Sequence, residues 1–155
     1  MSQGFPQQNA SVGMSDPFDL QRFVLAQHPV FDQVCEELRE GRKRGHWMWF
    51  IFPQLSGLGY SDMSKKYAIR SRLEADGYLK HPILGPRLIE CSCLVTRVQG
   101  VSIRQILGYP DHLKFRSSMT LFATVAPEET IFRDALRIFF AGEPDSLTLE
   151  RLRSI

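Results

Sequence analysis

Hydrophobic positions in this chain recur with a spacing of three to four residues and almost nowhere alternate, so the pattern predicts helices rather than strands. In "SDPFDLQRFVLAQHP", Leu20, Phe23 and Val24 share one side. Ser15 or Asp16 is placed to cap that helix, Pro17 suits its first position, and Pro29 should end it. Val30, Phe31, Val34, Cys35 and Leu38 form the next stripe, expected to run into "RKRG". That would set Arg42, Lys43 and Arg44 at the negative end of the helix dipole, before Gly45. Ser61 can cap a helix through "DMSKKYAIRSRLEADGYL", with Gly77 breaking it near its end. Further helices are expected in "PILGPRLIECSCLVTRVQG", "SIRQILG", "PDHLKFRSSMTLFATVAP", "EETIFRDALRIFFAG" and "SLTLERL". Ile131, Phe132, Ala135, Leu136, Phe139 and Phe140 give the second-last of these a wide apolar face. No pair of strand-like runs flanks an Asn-Gly or Asp-Gly turn. The expected fold is all-α: one compact multi-helix domain over residues 16–155, after a disordered tail at 1–15 rich in Ser, Gln, Gly and Asn.

At 155 residues, 43% hydrophobic and 23% charged, the chain has the composition of a soluble globular domain. A net charge of +2 argues against nucleic acid or an anionic membrane as the main partner. No apolar run is long enough to span a bilayer, and the N-terminus lacks the basic and apolar regions of a signal peptide. Cys35, Cys91 and Cys93 are odd in number and match no zinc spacing. Three reduced thiols in a cytoplasmic protein, with no metal and no cofactor, are the expectation.

Two stretches depart from ordinary core patterning. "GHWMWFIFPQLSGLGYS" gathers His46, Trp47, Trp49, Phe50 and Phe52 within seven residues, then leaves helical geometry at Phe52-Pro53. Gln54 follows at a turn whose glycines permit close backbone approach. Aromatic planes, an amide and a close backbone suit a flat heterocycle. In "PDHLKFRSSMTLF", at about 100° per residue, Asp111, Lys114 and Ser118 fall on the same broad face as Phe115, Leu121, Phe122 and Val125, while Leu113, Arg116, Thr120 and Ala123 project elsewhere. An acid, a base and a hydroxyl inside an apolar stripe must either pair with one another or line a cavity.

The segments "DPFDLQRFVLAQ", "GHWMWFIFPQLSGLGYSDMSKKYAI", "EADGYLKHPILGPRL" and "PDHLKFRSSMTLFA" resemble, in order and spacing, a bacterial domain family of unknown function. The resemblance covers residues 16–142 and implies a compact, mainly helical domain. Members often carry the label calpastatin, which does not fit, since a calpain inhibitor of that kind is disordered and repetitive. The "DxxKxxSSMTLF" helix is also distantly similar to a late helix of the NADAR group, small helical N-glycosidases acting on ribosylated bases and ADP-ribose. That group's acidic motif has no counterpart between Ser56 and Lys66, where Asp62 is the sole acid, so none of its catalytic residues is carried over.

Two functions remain from the residues themselves. The first is a site that binds or hydrolyses a nucleoside-, nucleotide- or ADP-ribose-like molecule. Trp47 and Trp49 would stack, Gln54 would read a base edge, and Lys114 would meet a phosphate, with Ser118 beside it. Asp111, His46 and Glu74 are the acid/base candidates, Asp111 as the carboxylate that N-glycoside hydrolysis requires. The second is a non-catalytic helical interaction module whose polar stripe pairs internally. Convergence of Trp49, Gln54, Asp111 and Lys114 around one concavity favours the first, and dispersal favours the second.

Overall fold

The computed structural model describes residues 16–155; the expected Ser15 cap and the tail lie outside them. Ten helices follow in order: α1 Gln21–Gln27, α2 Phe31–Glu40, α3 Met48–Ile51, α4 Asp62–Lys66, α5 Arg72–Lys80, α6 Leu84–Thr96, α7 Ile103–Leu107, α8 Asp111–Val125, α9 Thr130–Phe140 and α10 Ser146–Arg153. Among the described residues there is no strand, only an isolated parallel bridge between Leu55 and Ile69. The all-α expectation holds.

Three boundaries differ from the expected ones. α1 starts at Gln21 rather than at Pro17, because Asp19 takes a left-handed conformation at φ 53° and interrupts any helix through it. Asp16 still does a cap's work, its carboxylate accepting from the Leu20 and Gln21 amides at 2.7 and 3.1 Å. α2 ends at Glu40, since Gly41 adopts φ +74° and the Arg42 amide closes back onto the Glu37 carbonyl. The basic triplet therefore follows the helix in a loop. Third, "DMSKKYAIRSRLEADGYL" is two helices, not one. Tyr67–Arg70 leave helical geometry and place Ile69 beside Leu55, and Ser71 caps α5 through the Glu74 amide at 3.0 Å. Gly77 lies inside α5 and does not break it.

α8 is the axis of the fold. Helices α5, α7, α9 and α10 all pack on it, and α6 joins α2, α5 and α9 behind them. Phe115 meets Phe52 edge-on at 4.9 Å and also Phe139 and Phe140, while Phe122 lies between Tyr78 and Phe132 at 5.6 and 5.7 Å. Enclosed in this way, α8 buries Thr120 as well, although the periodicity directs that residue elsewhere. The Thr120 hydroxyl donates to the Arg116 carbonyl at 2.8 Å and accepts from the Asp145 amide at 2.8 Å, so its burial leaves nothing unpaired. Buried Gln27 links α1 to the aromatic stretch by donating to the Phe50 carbonyl at 2.7 Å and to the Tyr78 hydroxyl at 3.0 Å. Burial pushes the Tyr78 phenol well above its ordinary pKa. The three cysteines are free thiols: Cys35 and Cys91 are buried, and Cys93 is half-buried. Among the described residues, no helix is long and apolar enough to cross a membrane, and no cluster of His, Cys, Asp or Glu could hold a metal ion.

Gly85, in the first turn of α6, lies so close to the Leu79 carbonyl that a Cβ there would overlap backbone. Exchanging a mid-helix glycine for alanine normally gains about 0.5–1 kcal/mol. Here Gly85→Ala should instead lower stability by about 1–3 kcal/mol, the usual range for overpacking. Thermal unfolding measures it, and a raised Tm would show that α5 and α6 approach less closely than this.

Candidate functional site

The aromatic stretch is held in place from α2. Glu37 is 1% exposed and falls on the apolar stripe three residues after Val34. Its Oε1 accepts from the Arg44 amide at 2.8 Å, the Gly45 amide at 3.0 Å and Trp47 Nε1 at 3.0 Å, and its Oε2 accepts from Gln33 Nε2 at 2.7 Å. Burial alone would raise this carboxyl, but the four hydrogen bonds outweigh it and bring the pKa down to about 2. Lys43 completes the clamp. Its amide donates to the Ile106 carbonyl at 2.7 Å, and its ammonium reaches the Gly45 carbonyl at 2.6 Å and Asp111 Oδ2 at 3.0 Å.

Beyond this clamp the chain runs through α3 to Phe52, turns at Gln54, and faces α8 across a cleft of about 340 Å³. Three segments form its walls: Gln54, Leu58 and Gly59 from the turn; Pro110, Leu113, Lys114, Arg116 and Ser117 from α8 and its start; Asp145 and Leu147 from the start of α10. The turn is pinned by α10, because Arg151 Nε donates to the Ser56 carbonyl at 2.7 Å. Its guanidinium lies where a Cβ on Gly57 would be, and Gly57 itself has φ +90°, so both space and backbone demand glycine there. The Lys114 ammonium is half-buried, 5.8 Å from the Trp49 ring centroid and 3.7 Å from Asp111 Oδ1. Among the described residues neither it nor the Gln54 side-chain amide makes a hydrogen bond, although each has a full set of donors. Arg116 is engaged, its Nε donating to the Glu143 carbonyl at 2.9 Å.

The predicted residues divide into two groups. Gln54 and Lys114 line the cleft, and Trp49 and Asp111 adjoin it through the Lys114 ammonium. Trp47 is buried and pinned to Glu37, so no ligand can stack on it. Glu74 is buried in an ion pair with Arg22 at 2.9 Å and accepts from the Arg70 amide at 3.0 Å, with no place in the cleft. His46 is exposed and outside the cleft. Ser118 turns into the core with its hydroxyl unpartnered, and the serine on the cleft is Ser117, one turn from Leu113. The wall expected from tryptophan is thus made by Leu58, Pro110, Leu113 and Leu147. Periodicity did not point to Glu37 or Asp145, although the Asp-x-x-Thr spacing at 145–148 is a legible cap. A larger groove of about 670 Å³ lies elsewhere, between the α6–α7 connection with its flanking residues and the end of α9. Its lining mixes apolar side chains with Thr96, Gln99, Ser102 and Arg104 and contains none of these groups.

The model of the family described as a protein of unknown function, DUF1810, matches residues 17–152. The chain belongs to this family. It is also similar to the conserved hypothetical protein Rv1873 from Mycobacterium tuberculosis, known from a crystal structure. The two are 55% identical, with a TM-score of 0.88 over 89% of this chain and 99% of that one. No curated protein matches. A family of unknown function is what the motif strings at 16–142 resemble, and the fold that resemblance implies is the one described above.

Because Glu37 has a depressed pKa, its contribution to stability is complete above the unfolded carboxyl value of about 4.3 and is lost as the pH falls toward about 2. Glu37→Gln should therefore cost on the order of 3 kcal/mol at pH 7. That difference from the parent should shrink steadily below pH 4. Urea titrations read by tryptophan fluorescence at pH 7, 4 and 3 test this, and a pH-independent difference would contradict it.

Proposed function

We propose that the cleft between the Gln54–Gly59 turn, α8 and the start of α10 binds a small, flat, anion-bearing molecule of the nucleotide class. One observation carries the reading: two half-buried polar side chains, Lys114 and Gln54, line one concavity, and among the described residues neither makes a side-chain hydrogen bond, Lys114 having only the 3.7 Å ion pair with Asp111. Lys114 would meet the anionic group, and the Gln54 amide, donor and acceptor together, matches the edge of a nucleobase. The apolar wall of Leu58, Pro110, Leu113 and Leu147 would cover the base faces. At about 340 Å³ the cleft lies near the small end of the ~300–1,000 Å³ typical of ligand sites, which suits a mononucleotide better than a dinucleotide.

Binding is better supported than hydrolysis. Asp111, the nearest of the three predicted acid/base residues, is held between the Lys43 and Lys114 ammonium groups and does not line the cleft. The alternative, a non-catalytic interaction module, draws support from the exposed Leu113 and Leu147 at the rim, 44% and 58% accessible.

Isothermal titration with AMP, GMP, UMP, CMP and ADP-ribose separates the two. A charged hydrogen bond contributes about 1.5–3 kcal/mol, so Lys114→Met should weaken mononucleotide binding roughly ten- to hundredfold. The Tm should stay near that of the parent, because Lys43 still neutralises Asp111. Absence of binding by all five compounds would favour the interaction module, and undiminished binding by the variant would overturn the role of Lys114 and of this cleft.

A further inference from the structure

We infer that Asp145 is a specificity residue of this cleft, reading the sugar hydroxyls of the ligand and so favouring ribonucleotides over deoxyribonucleotides. The inference rests on the nucleotide reading above and adds the part of the ligand that reading leaves without a partner. Between a base edge at Gln54 and an anion at Lys114 lies the sugar, whose polar handles are hydroxyl donors that need acceptors. Ser117, although on the wall, already donates its hydroxyl to the Leu113 carbonyl at 3.2 Å. Asp145 is the one carboxylate in the lining. Its Oδ2 caps α10, accepting from the Thr148 amide at 3.0 Å and the Thr148 hydroxyl at 2.6 Å. Its Oδ1 accepts no hydrogen bond among the described residues.

The surroundings hold this carboxylate in a fixed position. The Asp145 amide is anchored on the buried Thr120 hydroxyl, and the cap fixes the side-chain rotamer from the other end. Asp145 forms no ion pair with Lys114 or Arg116, whose nearby acids are Asp111 and Glu143. The cleft therefore separates a cation for an anionic group from an acceptor-only group for hydroxyls. An ionised carboxylate accepts and cannot donate, so it discriminates a hydroxyl from the hydrogen that replaces it in a deoxy sugar.

The test compares each ribonucleotide 5′-monophosphate with its 2′-deoxy counterpart by isothermal titration on the full chain. A hydrogen bond to a charged acceptor corresponds to roughly tenfold or more in affinity, and the ribo form should be preferred by that factor. Asp145→Asn keeps a good helix cap but loses the charge, and it should reduce the preference severalfold while leaving the Tm close to the parent. Asp145→Ser, also a cap, should remove it. Equal binding of ribo and deoxy forms by the parent, or an unchanged preference in both variants, would overturn the role of Asp145 and leave the nucleotide reading standing. Binding of neither form would overturn both.

Discussion

A single buried carboxylate organises the middle of this protein. Four N–H groups from three parts of the chain converge on Glu37, three of them on one oxygen. That number of acceptor positions, with no donor among them, is available to a carboxylate and not to an amide. The charge is tolerated in the interior because the hydrogen bonds replace the water it loses. What it holds is the start of the aromatic segment. With Trp47 fixed, α3 begins at a set point, Phe52 arrives against Phe115, and the chain leaves toward Gln54 with little freedom. The cleft inherits its position from a residue that does not touch it.

α8 shows how one helix can serve a core and a site together. Phe115, Ser118, Met119 and Phe122 face inward, whereas Leu113, Lys114 and Ser117 face the cleft. Asp111 lies where the two regions meet, with an ammonium on each oxygen. The two lysines differ. Lys43 is nearly enclosed and bonded to a carbonyl and a carboxylate, so its charge belongs to the fold. Lys114 stands beside an indole ring without an acceptor within hydrogen-bonding distance.

Much of the fold was legible from spacing alone, because most helices bury one face and polar residues cover the other. The stripes of α6, α8 and α9 mark those helices well. The boundaries that went astray depend on backbone events that side-chain periodicity does not register: the left-handed Asp19, the cap at Gly41, and the turn that lets Ile69 reach Leu55. Ser71 and Glu74 did carry the signature of a new helix start inside a run that otherwise looks continuous. At the site, Gln54 and Lys114 stood out because each breaks its local pattern. Trp47 and Glu74 stood out equally and proved to be paired within the fold, since which partner meets a side chain depends on contacts far apart in the sequence. Asp145 lines the cleft without standing out in the sequence, because it looks like an ordinary cap, and it is one.

The contact between Arg151 and Gly57 bears on how the cleft comes into being. The two residues are almost a hundred positions apart, and that guanidinium adds a second clamp to a turn already held by the Gln54 and Ser56 backbone bonds to Ile69. Asp145 and Leu147 arrive with the same helix. The aromatic segment and α8 therefore do not enclose the concavity by themselves; α10 supplies its third wall.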